Sequence, residues 1–184
     1  MARAAFAKLD IDGGFDTAFS GVADSYRKAR RGMHHALTTC DADDLHEFRK
    51  AAQFHWRQMH LLTAAWPEYF EARATTARRL SMILGDNHDL DMLAAVISAP
   101  DGTRGLRLSA QRRALILSII EARQRELQSR AALLGQQLFA DPPSVFRDAI
   151  SFHWTTALDS RDERRSADGS AETRPAETHA AAAE

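Results

Sequence analysis

From Asp16 onward, apolar side chains recur every three or four positions and strand-like alternation is almost absent, so the chain predicts helices broken at Gly and Pro. After a leader ending in Asp12-Gly13-Gly14, a first helix is expected over about 16–39. A second is expected over about 43–65, stopped ahead of Pro67 because proline disfavours helical backbone in the residue before it. Pro67 starts a third that should reach Leu84 and break at Gly85, and Asp86 or Asn87 then caps a fourth ending near Ala99 and Pro100. Residues 100–105 read as a loop, a long fifth helix is expected over 109–139, and Pro142-Pro143 open a sixth carrying Val145, Phe146, Ile150 and Trp154. From about Ser160 the apolar pattern stops, and the small, charged remainder buries too little surface to offset its ordering entropy. The expected organisation is a leader over 1–14, a helical domain over 15–157 and a disordered tail over 158–184. The fold class is all-α, an antiparallel bundle of four or more helices with one long C-terminal helix.

Two of these helices carry a second pattern. At about 100° per residue, Leu45, Phe48, Ala52, His55, Trp56, Met59 and Leu62 share one face, which is the expected core. His46, Arg49, Lys50, Gln53, Arg57 and His60 form a stripe beside it, and Glu47 falls off that stripe, so the positive row is expected to lack an acidic partner within the helix. On the first helix, Phe15, Phe19, Val22, Tyr26, Ala29, Met33 and Leu37 make the apolar face, with Arg27, Arg30, Arg31 and His34 alongside. If the two apolar faces meet in antiparallel packing, both basic stripes flank one groove that focuses positive potential. Basic rows beside apolar faces are usually solvated flanks. Here like charges at i+3 and i+4, costing a few tenths of a kcal/mol per pair, recur on two helices. Met33, Met59, Met82 and Met92 are read as core residues.

Composition narrows the functions. A net charge of -1 excludes an overall polycation, so an anion site must come from local segregation of charge. Cys40 is the one cysteine, which precludes a disulfide within the chain and suggests a reducing, cytoplasmic setting. No stretch approaches the roughly 18 apolar residues of a membrane span. Aromatic residues lie mainly on the apolar faces, which disfavours base stacking and hence nucleic acid as partner.

The segments YRKARRGMHHA at 26–36, LHEFRKAAQFHW at 45–56 and LGDNHDLDML at 84–93, in this order, resemble the CHAD domain, the conserved histidine alpha-helical domain. The likeness runs from Phe15 to Trp154. It implies an all-helical, non-catalytic module that binds inorganic polyphosphate without a cofactor and associates with polyphosphate granules. The contacts it implies come from Arg27, Arg30, Arg31, His46, Arg49 and Lys50, to which the stripes add His34, Gln53 and Arg57. His88 and Asp89 fall on its third motif, while Ala51, Gln53 and His60 stand where the family often has basic residues. The family domain has two similar halves, and this chain resembles the C-terminal one, so pairing with itself or with another half is expected. Imidazoles at His34 and His46 beside phosphate predict tighter binding at about pH 6 than at pH 8. Two alternatives stand beside this reading. One is a metal-dependent phosphohydrolase of the HD class using His46, His88, Asp89 and Asp148, although Arg49 and Lys50 would repel its cation. The other is a helical module that contacts a partner protein.

Overall fold

The computed structural model describes the backbone of residues 14–99 and 108–171 and the side chains of residues 19–99 and 108–164. Among these residues there are five helices and no strand: α1 Gly14–Thr39, α2 Ala42–Leu61, α3 Pro67–Ser98, α4 Ala110–Leu138 and α5 Pro143–Ala171. The expected all-α bundle is what forms. α2 lies between α1 and α3, α4 packs on α3, and α5 returns to α1.

Local chemistry sets the joints. Cys40 closes α1 in the left-handed region, at φ 52°, with its N–H donating to Ala36 O. Asp41 then caps α2, its carboxylate accepting from the N–H groups of Asp43 and Asp44. Pro67 occupies the first turn of α3, where a missing N–H costs nothing. The Ser109 hydroxyl caps α4 by accepting from Arg112 N–H.

The core is built around Tyr26, whose ring stacks on Phe146 at 4.1 Å and whose hydroxyl donates to Asp141 O at 3.1 Å. Phe48, Phe70, Phe139, Met33, Met59, Leu80, Leu84, Leu127 and Ile150 complete it, each burial contributing about 1.5–3 kcal/mol. Gly135 of α4 is where the backbone comes closest, since a Cβ there would lie 3.0 Å from both Met33 Sδ and Phe48 Cζ. Gly135→Val is therefore expected to lower stability by about 1–3 kcal/mol through overpacking, read as a fall in the urea midpoint at unchanged slope.

Several expectations need correcting. The third and fourth predicted helices are one, because α3 runs without interruption through Gly85, which is buried against the Arg49 side chain. Asn87 is not a cap. It is buried inside α3, donating to Asp91 and accepting from Gln128 of α4. Met33 and Met59 are core residues, whereas Met82 and Met92 are exposed at 62% and 58% because they sit on the outer face of α3. Val145 is exposed beside buried Phe146, and Trp56 is half-buried. α2 ends at Leu61 in a turn rather than at Ala65, and α5 continues to Ala171, past the expected boundary near Ser160. The leader, the 100–105 loop, the Phe15 side chain and the chain after Ala171 lie outside the described residues.

Candidate functional site

Antiparallel packing of α2 on α3 sets the geometry of the site. The His46 ring lies 5.0 Å from that of His88, and the Arg49 guanidinium crosses Gly85, 3.3 Å from where a Cβ would stand. Two turns further along α2, and two turns back along α3, Arg57 and Arg78 sit over the Trp56 ring at 5.9 and 5.7 Å. Arg49, Gln53, Arg57 and Arg78 thus line one groove of about 350 Å³, with Trp56, Ser81 and Met82 between them. Arg49 and Arg57 lie about 12 Å apart along the helix, a spacing that suits an extended anion. None of the three arginines is ion-paired among the described residues. Asp86 and Asp89 also line the groove.

The groove predicted between the two basic stripes does not form. Each helix turns its apolar face to the bundle axis rather than straight at its neighbour, so α1 and α2 meet on their other flanks, where Ser25 Oγ donates to Gln58 Oε1. The cleft they share, of about 660 Å³, is lined by Lys28 and Lys50 but also by Asp24 and Glu47. Its charges cancel. Lys50 Nζ contacts Glu47 Oε1 at 2.6 Å, so the expectation of a row without acidic partners fails at this residue. The Lys50 charge and hydrogen bond in turn hold the Glu47 carboxyl below the usual carboxylate range. Arg27 is likewise paired with Asp24.

Of the α1 stripe, Arg30 reaches the α4–α5 joint instead. Arg30 Nε donates to Phe139 O at 3.0 Å, and Arg73 of α3 donates to Leu138 O at 2.7 Å, so two guanidiniums neutralise the negative C-terminal end of α4. Arg30 is thereby a structural residue. Arg31 and His34 remain exposed on α1, and His60 is exposed at the end of α2. Of the predicted contacts, the groove takes in Arg49, Gln53 and Arg57, His46 lies against His88, and Arg27, Arg30, Arg31, His34 and Lys50 are not part of the groove lining. Arg78 escaped the sequence reading. The signal for it was its distance of seven residues, two helical turns, from Gly85.

The proposed hydrolase set does not converge. His46 and His88 are adjacent, but Asp148 is exposed on α5 and pairs with Arg147. Among the described residues, no three His, Cys, Asp or Glu side chains come together as metal ligands. Nearby Asp91 has its carboxyl raised by burial, an effect opposed by a hydrogen bond from Gln124.

The family model of the CHAD domain matches residues 5–98, half of the chain and all of the α2–α3 groove. The chain belongs to the CHAD-domain family. No curated protein and no solved structure matches it. CHAD domains are in general non-catalytic binding modules associated with polyphosphate. In this CHAD domain the match ends with α3, so α4 and α5 lie beyond it. None of its described helices is long and apolar enough to cross a membrane.

Proposed function

We propose that this CHAD domain binds inorganic polyphosphate along the α2–α3 groove, without catalysing a reaction. The observation that carries the reading is the convergence of Arg49, Arg57 and Arg78 around Trp56, all three without ion-pair partners among the described residues. Unpaired guanidiniums on a rigid helix pair suit phosphate oxygens, because their planar forks stay ionised and donate two parallel hydrogen bonds. Gln53 adds a neutral donor midway, and His46 lies at the end nearest His88. Lys50, Arg27, Arg31 and His34 supply peripheral attraction, weakened at Lys50 and Arg27 by their acidic partners. The domain acts in the cytoplasm at polyphosphate granules, as the C-terminal half of a two-bundle unit completed by another half or a second copy.

Titration with long-chain polyphosphate in EDTA at two salt concentrations tests the reading. Binding that weakens steeply with salt is expected, and failure of the folded chain to bind would end it, leaving the protein-interaction module. Gly85→Leu gives a finer check, since the new side chain occupies the space of the Arg49 guanidinium. It should weaken polyphosphate binding by about tenfold, one charge-assisted hydrogen bond being worth roughly 1.5–3 kcal/mol. Lys50→Ala should change binding by less than about twofold, as expected for an exposed, paired lysine.

A further inference from the structure

A second cleft, of about 650 Å³, opens on a different part of the molecule, where the α2–α3 connection crosses α5. One wall is Trp66, 42% exposed. Its ring stacks on Tyr69 at 5.2 Å and 16°, while His153 stands 4.6 Å from Trp66 and 5.3 Å from Tyr69. Tyr69 and His153 brace the indole, which itself lines the cleft together with His153. The indole is therefore a fixed platform.

The facing wall is α5. His153, Thr156, Ala157, Ser160, Arg161 and Arg164 share one helical face, with Asp162 on the opposite one. The Thr156 and Ser160 hydroxyls donate to backbone carbonyls one turn back, which leaves their oxygens able to accept. Arg161 and Arg164 are exposed one turn apart, and Arg164 Nε is steadied on Ser160 O at 3.1 Å. An exposed indole that shares one cleft with two guanidiniums selects a ligand that is planar at one end and anionic at the other. The volume falls within the range of about 300–1,000 Å³ of small-molecule sites.

We propose that this cleft binds a nucleoside phosphate, the base stacked on Trp66 and the phosphates held by Arg161 and Arg164. The polar side chains of the lining, His153, Thr156 and Ser160, belong to α5, whereas the segment that carries the indole contributes Ala64, Ala65 and Pro67, which offer a base edge no side-chain hydrogen bond. The site accordingly accepts purines without telling them apart. The proposal does not depend on polyphosphate binding in the α2–α3 groove.

The experiment is calorimetric titration of the full chain in EDTA with ATP, GTP, adenosine and tripolyphosphate, in the Arg49→Ala, Arg57→Ala background so that the other groove is silent. ATP and GTP should bind equally, and adenosine and tripolyphosphate each about tenfold more weakly, since a base stack and a phosphate clamp each contribute about that factor. Trp66→Leu and, separately, Arg161→Glu with Arg164→Glu should each weaken ATP about tenfold or more. The arginine pair is exposed, so its loss leaves the core intact. The proposal is overturned if the folded chain does not bind ATP, if ATP binds no more tightly than tripolyphosphate, or if ATP binding survives both sets of substitutions.

Discussion

Replacing Arg49 and Arg57 by alanine together is expected to lower the affinity for long-chain polyphosphate about 100-fold or more, two charge-assisted hydrogen bonds at roughly 1.5–3 kcal/mol each. Both side chains line the same groove, and neither is engaged by a carboxylate among the described residues, so each has its full charge available to a polyanion. The log–log salt dependence should also flatten by roughly 1.5–2, one condensed counterion per cation lost. The control is Arg27→Ala with Arg31→Ala, which removes equal charge from α1. Because Arg27 already pairs with Asp24 and neither residue is part of the groove lining, this control should cost less than about tenfold. Adding Arg78→Ala should deepen the loss, because Arg78 shares the Trp56 ring with Arg57. Equal losses from the two pairs, measured by calorimetry, would mean that total charge rather than this groove governs binding.

The second large effect concerns stability in acid. His55 is 2% exposed, neither ring nitrogen has a hydrogen-bond partner, and its ring lies 5.2–5.8 Å from those of Tyr26, Phe139 and Phe146. Burial, assisted by the Arg73 charge, pushes its imidazole down to about 3. The folded state therefore keeps His55 neutral, while the unfolded chain takes up a proton near pH 6.5. Stability is full above that pH, and falls as pH drops through it until the folded imidazole itself protonates. The loss from this residue is about 2 kcal/mol by pH 5 and about 4 kcal/mol near pH 3. His55→Phe removes the titration and the unsatisfied nitrogens while keeping a ring among aromatic neighbours. Urea midpoints at pH 7 and pH 5 should show the wild type losing about 2 kcal/mol more than the variant. Equal losses in the two proteins would place the acid sensitivity elsewhere.

The fate of His55 illustrates what one helix reveals about itself. Its place on the face of Phe48, Ala52 and Met59 follows from the 3.6-residue period alone, and it is indeed buried. The same period located the apolar face of α1 and the stripe of Arg49, Gln53 and Arg57. The neighbour against which that stripe lies was not legible, because a single helix carries no record of its rotation about the bundle axis. The stripes therefore looked like two sides of one groove, although Arg30 of α1 reaches the α4–α5 joint and the α2 stripe lines a groove with α3. Gly85 misled for a related reason. Alone it reads as a helix breaker, but in the fold the Arg49 side chain fills the space over it, and packing overrides propensity. Glu47 reads as lying off the stripe, yet it stands three residues before Lys50, a spacing at which helix side chains meet. Arg30 reads as a phosphate ligand through the resemblance and its place in the stripe, and only the carbonyl of Phe139 shows its structural work.

The central claim is that the anion lies between α2 and α3. Backbone and arginine side-chain NMR shifts of the labelled domain, followed during titration with polyphosphate, test it most directly. The account predicts that perturbations cluster at Arg49, Gln53, Arg57, Arg78, Ser81 and Gly85, with little change at Arg31 and His34. Shifts centred on Arg27, Arg31 and His34 of α1, or in the cleft of Lys28 and Lys50, would contradict it.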